Sequence, residues 1–151
     1  MEQTGSKQAL VVAKEMSELP TLIFSKAKFQ IFEKNELSPP QISVLQILYD
    51  NPSGMKMSDL AGKMHSSTPS ATGIVSRLVE KKFVIRGDDP KDRRIVTASI
   101  TKKGEMVLRE FQKDVERMWS GVLNDFSKKE IEDFLRLVRK VKRILREDNN
   151  G

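Results

Sequence analysis

The sequence predicts a mainly α-helical chain that carries one small β-hairpin, and three observations predict it. Apolar residues recur at steps of three and four through both terminal thirds of the chain. Between them, Met57 to Lys81 reads as two helices joined by a turn at His65-Ser66. Directly after, Phe83–Gly87 and Arg94–Ile100 read as two strands around the turn-rich tip Asp88-Asp89-Pro90-Lys91-Asp92-Arg93. Together these make a winged helix-turn-helix over residues 37–101, set between helical regions at 1–36 and 102–151.

Residues 1–6 are polar and expected to fray. From Lys7 to about Glu33, Val12, Met16, Leu19, Ile23, Ala27 and Ile31 form one stripe of a long amphipathic helix. Pro20 removes one hydrogen bond and clashes one turn back, so a kink or break is expected near Ser17–Pro20. Leu37-Ser38-Pro39-Pro40-Gln41-Ile42 opens the next helix. Ser38 caps, Pro39 suits the first helical position, and Gln41 stands three residues after the cap. Ile42, Leu45, Leu48 and Tyr49 point inward, and Asn51-Pro52-Ser53-Gly54 stops the helix.

Met57 to Met64 is a short helix with Leu60, Ala61 and Met64 inward. Ala61 is small where two helices must cross closely. Ser67 caps the helix that follows, which carries Ala71, Ile74, Val75, Leu78 and Val79 on its core face. Thr68, Pro69, Ser70, Thr72, Gly73, Ser76 and Arg77 lie on the other face. The exposed start therefore offers hydroxyls and no acid, beside the positive end of the helix. From Arg77 to Lys103, nine Lys or Arg stand against four Asp or Glu, so most of the excess charge sits in the hairpin region. A basic finger of this kind suits insertion of an arginine into a narrow minor groove.

Thr101 caps a helix that runs to about Asn124, with Val107, Phe111, Val115, Met118, Trp119 and Val122 on its buried face. Ser127 and Glu130 form a capping box at the start of the last helix. There Ile131, Phe134, Val138, Val141 and Leu145 step three and four, with Leu135, Leu137 and Ile144 beside them. That stripe is wider than one helix neighbour needs, and a partner chain is its natural cover.

Composition narrows the function. Twenty-seven Lys and Arg against 21 Asp and Glu give a net charge of +6, which favours an acidic partner. Cysteine is absent, which removes disulfides, thiolate metal sites and thiol redox switching. A single histidine argues against a zinc site and removes the usual general base. Neither a nucleophile with its base, nor a glycine-rich phosphate loop, nor metal-ligand spacing occurs. The expectation is a protein with no enzymatic activity, no cofactor and no metal. Apolar runs stay short of the ~20 residues of a membrane span, and the N-terminus lacks a signal core. A soluble, cytoplasmic, prokaryotic protein is expected.

From Ser66 to Arg86 and from Asp89 to Gly104, the sequence resembles the MarR family (multiple antibiotic resistance regulators) of winged-helix transcription regulators. The order of helices around this stretch fits as well, so the resemblance covers roughly residues 7–147. Its most specific part is Asp92-Arg93-Arg94, followed by the strand and Ile100-Thr101-Lys102-Lys103-Gly104. The resemblance implies a homodimer whose terminal helices interlock and whose recognition helices enter successive major grooves of a pseudo-palindromic operator. It implies that Ser67, Thr68, Pro69, Ser70, Thr72 and Arg77 face DNA. It implies that Arg94 reaches the minor groove, with Asp92 orienting it and Arg93 beside it. A repressor relieved by a small lipophilic or aromatic ligand is also implied, with no ligand residues assigned. Three positions depart from the family pattern: Gly73 replaces a basic or polar residue, Lys82 a helix-ending glycine, and His65 a turn glycine. Two other functions fit the same residues. One is a winged helix used for protein assembly, and the other is non-specific architectural binding of nucleic acid.

Overall fold

The structure, a computed structural model, describes residues 2–27 and 29–147. The elements run α1 (Glu2–Ala27), α2 (Gln30–Asn35), α3 (Pro39–Tyr49), β1 (Met55–Lys56), α4 (Met57–Lys63), α5 (Thr68–Glu80), β2 (Val84–Asp88), β3 (Val96–Ile100), α6 (Lys102–Leu123) and α7 (Lys128–Glu147). Two compact units divide the chain, residues 1–114 and residues 115–151.

The first unit contains the winged helix-turn-helix. Its core is the meeting of four helices and a sheet. Val44, Leu45 and Leu48 of α3, Leu60 and Ala61 of α4, Ala71, Val75 and Leu78 of α5, Val84 of β2, Ala98 of β3 and Leu108 of α6 are all buried. Ala61 and Ala71 are the small residues that let neighbouring helices approach. The caps form as the sequence dictates. Gln41 Oε1 accepts from Ser38 N at 2.8 Å and from Ser38 Oγ at 3.2 Å, while Pro39 and Pro40 open α3. Rings of Phe24, Phe29, Phe32 and Phe111 pack edge-on or tilted, with centroids 5.5–5.8 Å apart.

The sheet is antiparallel, in the order β1-β3-β2. Val84 pairs with Ile100, Arg86 with Ala98, and Asp88 with Val96. Partners across a ladder share a face, so Val84, Arg86, Ala98 and Ile100 lie on one side of the hairpin. Burial fades along that face as the hairpin leaves the body, from Val84 at 1% exposed to Val96 at 42%.

At the base of the hairpin three elements are tied together. Thr101 N donates to the Phe83 carbonyl at 3.0 Å and Thr101 Oγ1 to the Lys82 carbonyl at 2.7 Å. Thr101 Oγ1 also accepts from Gly104 N at 3.1 Å, capping α6. Lys103 Nζ donates to the Lys81 carbonyl at 3.1 Å and stands 4.9 Å from the Phe83 ring centroid.

In the second unit, Ser127 N donates to Glu130 Oε2 at 2.8 Å and Glu130 N to Ser127 Oγ at 3.3 Å, the predicted capping box. The Ser127 backbone N–H, with a smaller effect from its side chain, holds the Glu130 carboxyl below its ordinary pKa. Trp119 and Phe126 pack against Phe134, with ring centroids at 5.7 and 6.4 Å. Ile131 and Phe134 are half-buried, whereas Val138, Val141 and Leu145 are exposed.

Four expectations are corrected. The first helix does not break near Ser17–Pro20; Pro20 lies inside α1. A proline there deletes one donor, but the bonds on either side survive, so the helix passes through. The interruption falls between Ala27 and Gln30, where Phe29 and Phe32 can meet Phe24. Residues 2–6 are helical rather than frayed; residue 1 lies outside the described residues. Both wing strands start later than expected: β2 at Val84, because Phe83 N still bonds back to the Leu78 carbonyl of α5, and β3 at Val96, because the tip turn consumes Arg94 and Ile95. A third strand, β1, pairs Met55 with Ala98 and Lys56 with Thr97. Lys82 adopts a left-handed conformation, φ 62°, without being glycine, and His65 does the same at φ 50°.

Candidate nucleic-acid interface

Two surfaces of the first unit meet here: the start of α5 and the tip of the hairpin. Ser67 precedes α5 in an extended conformation, and its Oγ accepts from Ser70 N at 3.3 Å. Pro69 fills the first turn, where its missing N–H costs nothing. The first turn holds no acid. Ser67, Thr68, Pro69, Ser70 and Arg77 are exposed, and Thr72 is half-buried. The buried face of Ala71, Val75 and Leu78 fixes the rotation of the helix, so its hydroxyl-bearing side faces outward. Left-handed His65 makes the turn between α4 and α5 tight enough for Ser66 N to reach the Ala61 carbonyl at 3.0 Å.

The tip is built by two aspartates. Asp89 Oδ1 accepts from Lys91 N at 2.8 Å and Asp92 N at 3.3 Å, an Asx-type turn. Asp89 Oδ2 also lies 4.0 Å from Lys56 Nζ. Asp92 then takes Arg94 in a fork, Nε to Oδ1 at 3.0 Å and Nη2 to Oδ2 at 3.1 Å, while Arg94 N also donates to Oδ1 at 3.0 Å. The Arg94 hydrogen bonds hold the Asp92 carboxyl below its ordinary pKa, and the same contact raises that of Arg94. Arg93 is exposed beside them. The DNA-facing candidates of the sequence therefore lie on α5, Ser67 to Thr72 at its start and Arg77 in its last turn, or on the tip.

Sequence reasoning missed Arg86. Its Nη2 donates to the Thr72 carbonyl at 3.1 Å and to Ser76 Oγ at 2.8 Å, while Ser76 Oγ donates to the Thr72 carbonyl at 2.8 Å. The signal was present. Residues 84 and 86 share a strand face, so an arginine two places after buried Val84 points at the helix that Val84 covers.

Among the described residues, no group of three or more His, Cys, Asp or Glu could hold a metal ion. None of their helices is long and apolar enough to cross a membrane.

Comparison with known proteins agrees with this fold. The model of the MarR family matches residues 37–96, from Leu37 to the first residue of β3. The uncharacterized HTH-type transcriptional regulator YpoP of Bacillus subtilis (strain 168) is 31% identical over 99 residues, 64% of this chain and 70% of its own length. A MarR family protein from Bacillus stearothermophilus superposes with a TM-score of 0.79 at 24% identity, covering 93% of this chain and 96% of that one. MepR of S. aureus, solved as a mutant bound to an oligodeoxyribonucleotide, superposes with a TM-score of 0.64 at 21% identity, covering 89% and 97%.

Proposed function

The chain belongs to the MarR family of DNA-binding transcriptional regulators, and from that premise we propose that it works as a homodimeric repressor of a pseudo-palindromic operator, released by a small lipophilic or aromatic ligand. One observation carries the DNA reading. The acid-free, hydroxyl-rich start of α5 and a wing tip holding an oriented, 90% exposed arginine belong to one compact unit. Ser67, Thr68, Pro69, Ser70, Thr72 and Arg77 are then the major-groove set. Asp92, Arg93 and Arg94 are the minor-groove set. The MepR–oligodeoxyribonucleotide structure supports duplex DNA as the partner.

Dimerisation is supported by apolar surface that a lone subunit leaves in water. On α1, Leu10, Val11, Val12, Met16, Leu22 and Phe24 are exposed; on α7, Leu135, Leu137, Val138, Val141 and Ile144. Residues 1–36 and 102–151 are the dimerisation region on this reading, with Ile131, Phe134, Val138, Val141 and Leu145 on the contact face of α7. Residues 37–101 are the DNA-binding domain. A dimer sets two recognition helices about one turn of DNA apart, or ~34–36 Å. A ligand site is supported by the hollow lined by Phe24, Phe29 and Phe32 with Gln30 and Glu33, where aromatic faces suit a flat apolar molecule.

The test is a gel-shift titration with DNA from upstream of its own gene against unrelated duplex of equal length. Preference for the upstream DNA by a hundredfold or more supports the reading. Equal affinity would replace it with non-specific architectural binding, and no affinity with a role in protein assembly.

A further inference from the structure

We propose that Arg86 is a positioning residue for DNA recognition: it locks the angle between the wing and the recognition helix, so that both reach the duplex as one rigid body. The proposal rests on the DNA-binding reading above.

The hairpin is held at its base, where Thr101 N and Oγ1 donate to the Phe83 and Lys82 carbonyls at 3.0 and 2.7 Å, and along β3, where β1 pairs with Thr97 and Ala98. Neither of these bonds reaches the middle of α5. Arg86, on the helix-facing side of β2, adds that tie. Its one nitrogen Nη2 reaches both the Thr72 carbonyl, at 3.1 Å, and Ser76 Oγ, at 2.8 Å. Ser76 closes the triangle by donating to the same carbonyl at 2.8 Å. The Ser76 hydroxyl thus donates once and accepts once, which fixes its rotamer. Both anchors sit in the middle of α5, between Ser67–Ser70 at its start and Lys81 at its end.

The chemistry of arginine is needed here. A guanidinium forms a rigid planar fork that donates to two acceptors at fixed angles, whereas a lysine ammonium is a point charge on a flexible stem. Beyond Arg86 the strand runs on through Gly87 and Asp88 into the tip that carries Arg94. At ~3.3 Å per residue, a small rotation at position 86 becomes a displacement of ångströms at the tip. Misplacement on that scale separates a groove-inserted arginine from one that touches only phosphate. Arg86 is exposed, so these bonds act through the direction they impose more than through their strength.

The experiment is fluorescence anisotropy with the full-length protein, on upstream and unrelated duplexes at several salt concentrations. The proteins are wild type, Arg86→Met, Arg86→Lys, Ser76→Ala and the double variant Ser76→Ala/Arg86→Met. Positioning predicts that Arg86→Met loses about tenfold on upstream DNA and little on unrelated DNA, so the specificity ratio falls. The salt slope stays unchanged, Arg86→Lys restores part of the loss, and Ser76→Ala adds nothing in the Arg86→Met background. A merely structural role would lower both affinities together and leave the ratio intact, which overturns the proposal. A direct phosphate contact would lower the slope by ~0.9 and weaken both duplexes equally, which also overturns it. Unchanged binding by Arg86→Met overturns it outright. Should Arg86→Met fail to fold, the ratio and slope for Arg86→Lys and Ser76→Ala decide in the same way. A wild type without preference for upstream DNA overturns the DNA-binding reading itself, a separate result.

Discussion

Arg94 holds Asp92 with both prongs of its guanidinium, Nε to Oδ1 at 3.0 Å and Nη2 to Oδ2 at 3.1 Å, at the tip of the wing. The arginine side chain is 90% exposed and its partner 35%. An ion pair so open to water adds little to stability. What it supplies is direction: a long, flexible cation is kept in one pose, the pose that the proposed DNA-binding role would use.

Arg94→Ala should therefore weaken binding to upstream DNA by at least tenfold while leaving the dimer and the melting temperature unchanged. Asp92→Asn should cost less, because the arginine keeps its charge and loses only its guide. Anisotropy and sedimentation on both variants check this. Unaltered affinity in Arg94→Ala would remove the wing from the interface.

The pair also sets a pH dependence. Asp92 has a lowered pKa in the folded chain, chiefly through the side-chain hydrogen bonds from Arg94. Between that value and the ordinary ~3.9, the unfolded chain binds more protons than the folded one. The contribution of the pair is thus present above the ordinary value and lost as pH falls through the lowered one. NMR titration of the Asp92 carboxyl should give a midpoint below ~3.9 in the wild type and a higher one in Arg94→Ala, which loses the guanidinium but keeps the backbone N–H bond to Asp92. Identical midpoints would contradict the geometry.

Gly73 lies in α5 with nothing within 4 Å of where a Cβ would stand. Gly73→Ala should stabilise the protein by up to ~1 kcal/mol, since glycine is the poorer helix former. A urea melt measures the gain. Reduced affinity for upstream DNA alongside it would mean that the bare backbone at 73 lies against a base or a phosphate.

Gly104 is the opposite case. A Cβ there would run into the Phe83 carbonyl, backbone that cannot turn aside, and would stand 2.8 Å from Ile100 Cγ1. Gly104→Ala should destabilise by ~1–3 kcal/mol through overpacking at the junction of β3 and α6. A urea melt as stable as wild type would show that this junction yields.

Val138→Glu with Val141→Glu should convert the dimer to monomer, raising its dissociation constant a hundredfold or more, because an unpaired buried charge costs ~3–5 kcal/mol. Sedimentation equilibrium reads this directly. An intact dimer would remove this face of α7 from the contact.

Much of this architecture was legible because it depends on local chemistry. The Ser38–Gln41, Ser67–Ser70 and Ser127–Glu130 caps lie within one turn, so their residues state the helix starts without reference to the rest. The Asp92–Arg94 pairing is equally local. What escaped depends on distant partners. Met55-Lys56 is a strand only because β3 lies beside it, and two residues carry no periodicity. The end of α1 follows from packing among Phe24, Phe29, Phe32 and Phe111, not from Pro20. Arg86 was hidden because a charged residue on a strand reads as solvated, and only the pairing register turns it toward α5. Assigning Ser67, Thr68 and Arg77 to DNA rests on which face the core leaves outside; the bases they would meet on that reading are written in the operator, not in this chain.

The central claim is that two copies present their recognition helices at a fixed separation. The direct measurement is affinity for the upstream site before and after insertion of five base pairs, half a turn, between its half-sites. The account predicts that the insertion moves one half-site to the far face of the duplex and reduces binding to the level of unrelated DNA. Equal affinity for the two sites would contradict it.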